Sequence, residues 1–200
     1  MKQKLLFAPV LMLLFMHVLV RAQIPESEKS ALLDLYHATK GASWTTPWDI
    51  KSSVDTWYGI EINEGHVTGI VLYENNLEGK IPTSVKELKN LHILDLALNK
   101  LEGEIPEELT ELNKIEAVKL EMNLLDGKLP FELGNMSNLK TLTLFDNQIE
   151  GDIPRSIGAA KNLEILDLSS NSLTGNLPTS IERLSKLTNL DISNNRLGVR

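Results

Sequence analysis

A 24-residue repeat runs through residues 67–197 and limits the folds open to this chain more than any other feature. Each unit begins with an aliphatic residue, and these are Val67, Leu91, Ile115, Leu139, Leu163 and Leu187. Aliphatic residues recur three, five and ten positions later, and an asparagine stands eight positions after the start of every unit. The asparagines are Asn75, Asn99, Asn123, Asn147, Asn171 and Asn195. Agreement in so many columns indicates a repeat architecture.

The second half of each unit is equally regular. Five glycines share one column: Gly79, Gly103, Gly127, Gly151 and Gly175. Five prolines share another: Pro82, Pro106, Pro130, Pro154 and Pro178. The alternating aliphatic segment predicts a short strand with aliphatic side chains inward. Asparagine both donates and accepts, which predicts a ladder of hydrogen bonds to the turn and the neighbouring unit. Glycine permits the return path of the backbone, and proline favours the helical turn that follows.

A single unit buries too little apolar surface to fold alone, so the units must stack. Stacking pairs each short strand with the next one. The sequence therefore predicts a right-handed parallel α/β solenoid, with short strands on a concave face and 3-10 or helical turns on the other side. We assign residues 67–200 to six such units, of which the last is incomplete.

Residues 23–66 are predicted to form an N-terminal cap over the first unit. Pro25 and Glu26 favour a helix start, apolar residues recur at helical spacing from Ala31 to Thr39, and Gly41 is a natural stop. The loop-like stretch that follows contains Trp44, Trp48 and Trp57. Two roles suit these tryptophans, ligand stacking and burial over the first unit. We favour burial, because aromatic side chains bury large areas.

The first residues predict a secretory signal peptide at 1–22. Lys2 and Lys4 precede an apolar run at residues 5–16, and residues 20–22 resemble a signal-peptidase site. An uncleaved anchor is the alternative, which the shortness of the run disfavours, and no other stretch could span a membrane. We therefore expect a secreted or cell-surface protein.

Composition excludes several functions. The net charge is −7, and loss of residues 1–22, which hold three cations and no acid, makes it three units more negative. Such a chain repels phosphate backbones, which excludes nucleic acid as a partner. The lack of cysteine excludes thiol nucleophiles, thiolate metal sites and disulfides. His37, His66 and His92 share no column with a nucleophile or a second ligand. We therefore predict no metal site, no cofactor and no enzymatic activity.

The consensus L-x-x-L-x-x-L-x-L-x-x-N-x-L-x-G-x-I-P resembles the plant-type leucine-rich repeats of receptor-kinase ectodomains and secreted inhibitors, over residues 67–197. Residues 31–36, 41–44 and 56–60 are similar to the N-terminal cap of that group. Plant caps carry paired cysteines, however. In lacking them, this chain resembles more closely the exported repeat proteins of Bacteroidetes-type bacteria. The resemblance implies extracellular recognition of a protein, peptide or glycan, and it implies no kinase activity.

The outward residues of the strands are the candidate binding surface, because they line a concave sheet with about 4.8 Å between units. The candidate ligand-binding residues are Tyr73, Glu74, Asp95, Leu98, Lys119, Glu121, Met122, Phe145, Asp146, Asp167 and Asp191. An exposed apolar patch is expected at Tyr73, Leu98, Met122 and Phe145. Singly exposed apolar side chains are also ordinary, so the patch has an alternative without a ligand.

Two charge pairs fall on the same surface. Asp95 beside Lys119 predicts a surface ion pair of little energetic value. Asp167 beside Asp191 places like charges on adjacent strands, which a cation or a basic partner group could relieve. Two carboxylates and nearby serines offer too few oxygens for calcium, so we favour solvated aspartates.

Three functions stay open at this point. The first is a module that binds a protein or peptide on the concave face. The second is a structural surface protein or adhesin that binds glycan or matrix. The third, by resemblance alone, is an inhibitor of a secreted hydrolase. The sixth unit breaks at residues 198–200, so we expect further chain or a partner to cover an open strand edge there. Asn135 begins a glycosylation sequon, relevant only in a eukaryotic source.

Overall fold

The computed structural model describes residues 24–198, and the predicted signal peptide lies outside this range. A cap containing the helix α1 (Glu26–Ala38) precedes six coils, numbered one to six, that start at the aliphatic residues opening each repeat. In this range no helix has the length and apolar character needed to cross a membrane. The strands in chain order are β1 (Ile60–Asn63), β2 (His66–Val71), β3 (Glu78–Gly79), β4 (Ile93–Asp95), β5 (Lys100–Glu104), β6 (Ala117–Lys119), β7 (Leu124–Asp126), β8 (Thr141–Thr143), β9 (Glu150–Asp152), β10 (Ile165–Asp167), β11 (Ser172–Thr174) and β12 (Asn189–Asp191).

One strand from every coil joins a seven-stranded sheet, in the order β1-β2-β4-β6-β8-β10-β12. The pair β1–β2 is antiparallel, and every other pair is parallel. Residues 24 positions apart stand opposite each other, as Leu94 does to Val118. The predicted parallel solenoid is therefore confirmed. We call the solvent-facing side of this sheet the concave face.

A second set of short strands, which the sequence analysis did not predict, follows the asparagine of coils one to five. Strands β3, β5 and β7 form one ladder and β9 and β11 another, with an isolated bridge between Lys128 and Glu150. Here residues 22 positions apart pair, as Gly103 does with Leu125. Gly103 has a φ of 73°, in the left-handed region that favours glycine. The glycine column thus permits the predicted return path.

Five 3-10 turns complete coils one to five: Thr83–Glu87, Glu107–Glu111, Leu133–Asn135, Arg155–Ala159 and Thr179–Arg183. In four of them the proline column directly precedes the turn in an extended conformation. Coil three differs. Its turn begins at Leu133, so Phe131 and Glu132 separate the turn from Pro130.

The aliphatic columns form one continuous core from Ile24 in the cap to Leu184 in coil five. Coil six closes this core only in part. Its Leu187 and Ile192 are partly buried, Leu190 is exposed, and β12 pairs with β10 and with no other strand among residues 24–198. The expectation that further chain or a partner covers this edge stays a prediction.

The three tryptophans are buried in the cap, as the sequence analysis favoured. The Trp48 ring stacks between Tyr36, at a centroid distance of 5.9 Å, and Trp57, at 4.7 Å. All three indole N–H groups donate to backbone carbonyls. The backbone N–H of Thr46 donates to Asn75 Oδ1 at 2.7 Å, which ties this cluster to coil one. Buried, hydrogen-bonded rings offer no free face for a ligand.

The cap departs from the sequence prediction in two places. The left-handed residue after α1 is Lys40, with a φ of 56°, rather than Gly41. Gly41 is needed for close approach instead, because a Cβ there would lie 2.1 Å from the Tyr36 ring. Strand β1 was not predicted, and it forms an antiparallel hairpin with β2, which begins at His66.

Candidate binding face

The expected apolar patch is present on the concave face in part. Tyr73 is 45% exposed and Met122 is 42% exposed, as predicted. Leu98 and Phe145, which were also expected to be exposed, are half-buried. Met122 and Phe145 belong to neighbouring coils, and the backbone N–H of Met122 donates to the carbonyl of Phe145 at 2.9 Å. The patch therefore spans adjacent coils.

The residue before each asparagine adopts a left-handed backbone conformation. The φ values lie between 49° and 58° at Glu74, Leu98, Met122, Asp146, Ser170 and Asn194. None of these residues is glycine, so each position costs on the order of 1 kcal/mol. The asparagine side chain that follows stabilises the turn and offsets this cost. This column marks the carboxyl rim of the concave face, where the chain leaves the sheet.

The asparagine ladder is confirmed and fixes the spacing of the coils. Asn99 Nδ2 donates to the carbonyls of Leu72 and Leu96, both at 2.9 Å, and Asn99 Oδ1 accepts from the N–H of Leu77 at 2.9 Å. Each asparagine from coil three to coil six repeats this pattern one coil further along. Because side chains bridge every pair of coils at the rim, the concave face is presented as a rigid surface.

The predicted ion pair between Lys119 and Asp95 is present, with Nζ and Oδ2 separated by 3.4 Å. It is not a pair between two surface residues, however, because Asp95 is only 8% exposed. Asp95 Oδ1 also accepts from the backbone N–H of Ala97 at 3.3 Å. In the next coil Glu121 accepts from the Thr143 hydroxyl at 2.6 Å. These charges in the middle of the face are therefore already partnered within the protein.

Asp167 and Asp191 stand opposite each other on β10 and β12, as predicted. Each carboxylate accepts a backbone N–H from the serine two residues later, at 3.0 Å for Ser169 and 2.9 Å for Ser193. Hydrogen bonds from the hydroxyl and backbone of Ser193 lower the pKa of Asp191 below its usual 3.8. Both carboxylates therefore have hydrogen-bond partners within the protein, which fits the interpretation without a cation.

Some residues of the concave face were missed. Side chains alternate inward and outward along each strand, so the residue two positions before each predicted outward residue also faces outward. These residues include the half-buried Ile93, Ala117, Thr141 and Ile165. Leu124, two residues after Met122 in strand β7, is exposed as well. Continuing the strand period toward the start of each unit would have identified the first four.

The histidines take part in pairs with neighbouring side chains. His66 Nδ1 lies 2.7 Å from Oε1 of the buried Glu28, and Glu28 Oε2 accepts the N–H of Val67 at 2.7 Å. His92 Nδ1 lies 3.2 Å from Glu116. His37 lies edge-on to the Tyr36 ring. Among residues 24–198 no group of three or more His, Cys, Asp or Glu side chains could hold a metal ion.

Two open grooves in the described part of the chain, of about 1040 Å³ and about 810 Å³, run along the glycine and proline columns. The larger lies over coils one to three and the smaller mainly over coils three to five. Neither groove is lined by the candidate residues of the concave face.

Comparisons with known proteins agree with this geometry. Two family profiles, both described as leucine-rich repeat, match residues 137–197 and 90–112. Comparison with curated proteins gave no match. Among solved structures, the PEPR1–AtPEP1 complex is similar with 28% identity and a TM-score of 0.79, covering 86% of this chain and 25% of that chain. The BIR2 ectodomain from Arabidopsis thaliana has 27% identity and a TM-score of 0.75, covering 90% and 97%.

A third similar structure is the Arabidopsis receptor kinase HAESA with the peptide hormone IDA and the co-receptor SERK1, at 25% identity and a TM-score of 0.78. It covers 87% of this chain and 30% of that chain, so the chain spans under a third of the length of HAESA and of PEPR1. The fold thus defines the class of this protein as a parallel-sheet solenoid of 24-residue coils. The chain has the leucine-rich-repeat fold, with a likeness to plant receptor ectodomains.

Proposed function

We propose that this chain is an extracellular binding module that holds a protein or peptide across the concave face. The observation that carries this proposal is the apolar patch on a solvent-facing sheet. The carboxyl ends of the strands in coils one to four carry the exposed Tyr73 and Met122 and the half-buried Leu98 and Phe145. Large apolar and aromatic side chains are the residues enriched where proteins contact one another.

The structure of the face supports an extended ligand rather than a small one. Its residues repeat once per coil, about 4.8 Å apart, so a ligand in contact with Tyr73 and Phe145 crosses four coils. The asparagine ladder holds the coils at fixed spacing, which reduces the ordering entropy that binding costs. The HAESA structure contains the peptide hormone IDA, which supports a peptide here.

The proposed role is non-catalytic and outside the cell. His66 is paired with Glu28, and His92 is paired with Glu116. The central carboxylates of the concave face are paired with Lys119 and Thr143. Export rests on the signal-peptide pattern at residues 1–22 and on the cysteine-free cap that resembles exported bacterial repeat proteins. An inhibitor of a secreted hydrolase would use the same face, with an enzyme as its protein ligand.

A random peptide display library panned on the purified full chain tests this proposal. The selected peptides are resynthesised, and their affinities are measured by fluorescence polarisation against the wild type and the triple variant Tyr73→Ala, Met122→Ala, Phe145→Ala. We expect the triple variant to bind about a hundredfold more weakly, since each lost contact of this kind costs about 1 kcal/mol.

The matched control is the double variant Ile50→Ala, Tyr58→Ala, which removes exposed apolar side chains from the cap instead. Its affinity should equal that of the wild type. An equal loss of affinity in both variants, or no loss in the triple variant, would show that the peptide does not bind on the concave face. A library that yields no peptide above background would contradict peptide binding altogether.

A further inference from the structure

Among the large apolar side chains of the described residues, that of Phe131 is the most exposed, at 68%. It follows Pro130 in coil three, on the side of the molecule away from the concave face. The equivalent positions of the other coils are polar, with Thr83, Glu107, Arg155 and Thr179. Only here does the 3-10 turn begin two residues late, with Glu132 at a φ of −96° and a ψ of 30°.

The backbone of Phe131 is held by side chains from both neighbouring coils. Glu107 Oε1, in coil two, accepts the Phe131 N–H at 2.7 Å. The Ser156 hydroxyl, in coil four, donates to the Phe131 carbonyl. The ring is therefore exposed on a backbone that cannot easily move. Binding at Phe131 therefore requires little further ordering of the backbone, which lowers the entropy that binding costs.

The ring borders the groove of about 810 Å³, whose floor and rim differ in chemistry. The floor contains the apolar Leu129, Ile153 and Leu177, which are buried or half-buried. The rim carries two acids and two bases: Glu107, Asp152, Lys128 and Arg155. The formal charges of the rim cancel, so the groove gives no electrostatic advantage to an anion or a cation.

We propose that this groove binds a neutral oligosaccharide, with one sugar ring seated on the face of Phe131. A sugar ring has an apolar C–H face, which matches the phenyl ring, and an edge of hydroxyls. Those hydroxyls can donate to Glu107 and Asp152 and accept from Lys128 and Arg155, replacing the water that binding displaces. An apolar protein surface would instead bury four charged groups without replacing that water, which is costly.

The site is separate from the proposed peptide site, and one experiment tests it independently. Calorimetric titrations of the full chain use cellotetraose, mannotetraose and chitotetraose as neutral probes and tetragalacturonate as the charged comparator. We expect at least one neutral probe to bind. Phe131→Ala should weaken that binding by about tenfold or more, and Phe131→Trp should preserve it, because tryptophan keeps an aromatic face.

The control variant Tyr58→Ala, which removes an exposed aromatic side chain from the cap, should leave sugar binding unchanged. Because Phe131 lies outside the core, its replacement does not threaten folding. Failure of every neutral probe to bind at about 10 mM overturns the proposal. Binding that survives Phe131→Ala also overturns it, as does tighter binding of tetragalacturonate. Peptides from the display library that lose affinity on Phe131→Ala would identify the groove as a peptide site instead.

Discussion

Replacement of Asn123 by alanine tests whether the asparagine ladder holds the coils together. Asn123 Nδ2 donates to the carbonyls of Leu96, Leu120 and Glu121, at 3.0, 3.1 and 3.3 Å. Asn123 Oδ1 accepts the backbone N–H of Leu101 at 2.9 Å. The side chain is buried, so water cannot easily replace these hydrogen bonds. Asn195 makes the same set of bonds in coil six, where its side chain is half-buried.

The expected loss of unfolding free energy depends on which backbone groups lose their hydrogen-bond partners. The Leu96 carbonyl keeps a donor from Asn99, and the Glu121 carbonyl keeps the N–H of Leu98. The Leu101 N–H loses its acceptor inside the protein, which costs about 1–3 kcal/mol. The remaining lost bonds add about 1 kcal/mol, so Asn123→Ala should lower the free energy of unfolding by about 2–4 kcal/mol. At Asn195, water can take the place of the amide, and the cost should be about 1 kcal/mol.

Urea unfolding followed by far-UV circular dichroism measures both values. The variants Asn123→Ala and Asn195→Ala make a matched pair, since the chemistry removed is identical and only the burial differs. A loss below about 0.5 kcal/mol at Asn123, or equal losses at the two positions, would refute the view that the ladder stabilises the fold by satisfying buried backbone groups.

Two further predictions concern charged side chains. Glu28→Ala removes the acceptor of the Val67 N–H and the partner of His66, so it should lower the free energy of unfolding by about 2–4 kcal/mol, measured by thermal or urea unfolding. The control Glu26→Ala, at an exposed position of the same helix, should change that free energy by less than about 0.5 kcal/mol. Similar values for the two variants would contradict a structural role for Glu28. Hydrogen bonds from Lys140 and then His92 lower the pKa of Glu116 below 4.5, so its contribution to stability is present above pH 4.5 and is lost as the pH falls through the lower folded-state pKa. Thermal unfolding should therefore separate Glu116→Gln from the wild type near about pH 7 and bring the two together near about pH 3, and a difference that grows in acid would contradict this.

The solenoid could be predicted from the sequence because its main contacts join residues of one column. Leu94 packs and pairs with its equivalents one repeat away, so the 24-residue period is itself the pairing register of the large sheet. The second ladder pairs residues 22 positions apart, as Glu102 does with Leu124, and a period of 24 does not reveal it. The left-handed column was hidden for another reason, since its members, among them Glu74, Met122 and Ser170, share no chemistry.

The candidate site was less predictable because exposure depends on neighbours rather than on period. Asp95 and Asp167 occupy the same column, yet Asp95 is buried and Asp167 is half-buried. Leu98 and Met122 likewise share a column and differ in exposure. Phe131 was not predicted as a site residue because it lies outside the strands. The sequence does mark it, since it is an aromatic residue in a column that is polar in coils one, two, four and five.

The position of the tryptophans has a consequence for how unfolding is observed. All three are in the cap, at positions 44, 48 and 57, and none is in the coils. Intrinsic fluorescence therefore reports on one end of the molecule, while the peptide-bond signal averages over its full length. Repeat proteins are held by nearest-neighbour contacts, so their two ends need not melt together. A gap between the two transition midpoints would measure how far cooperativity extends along the stack.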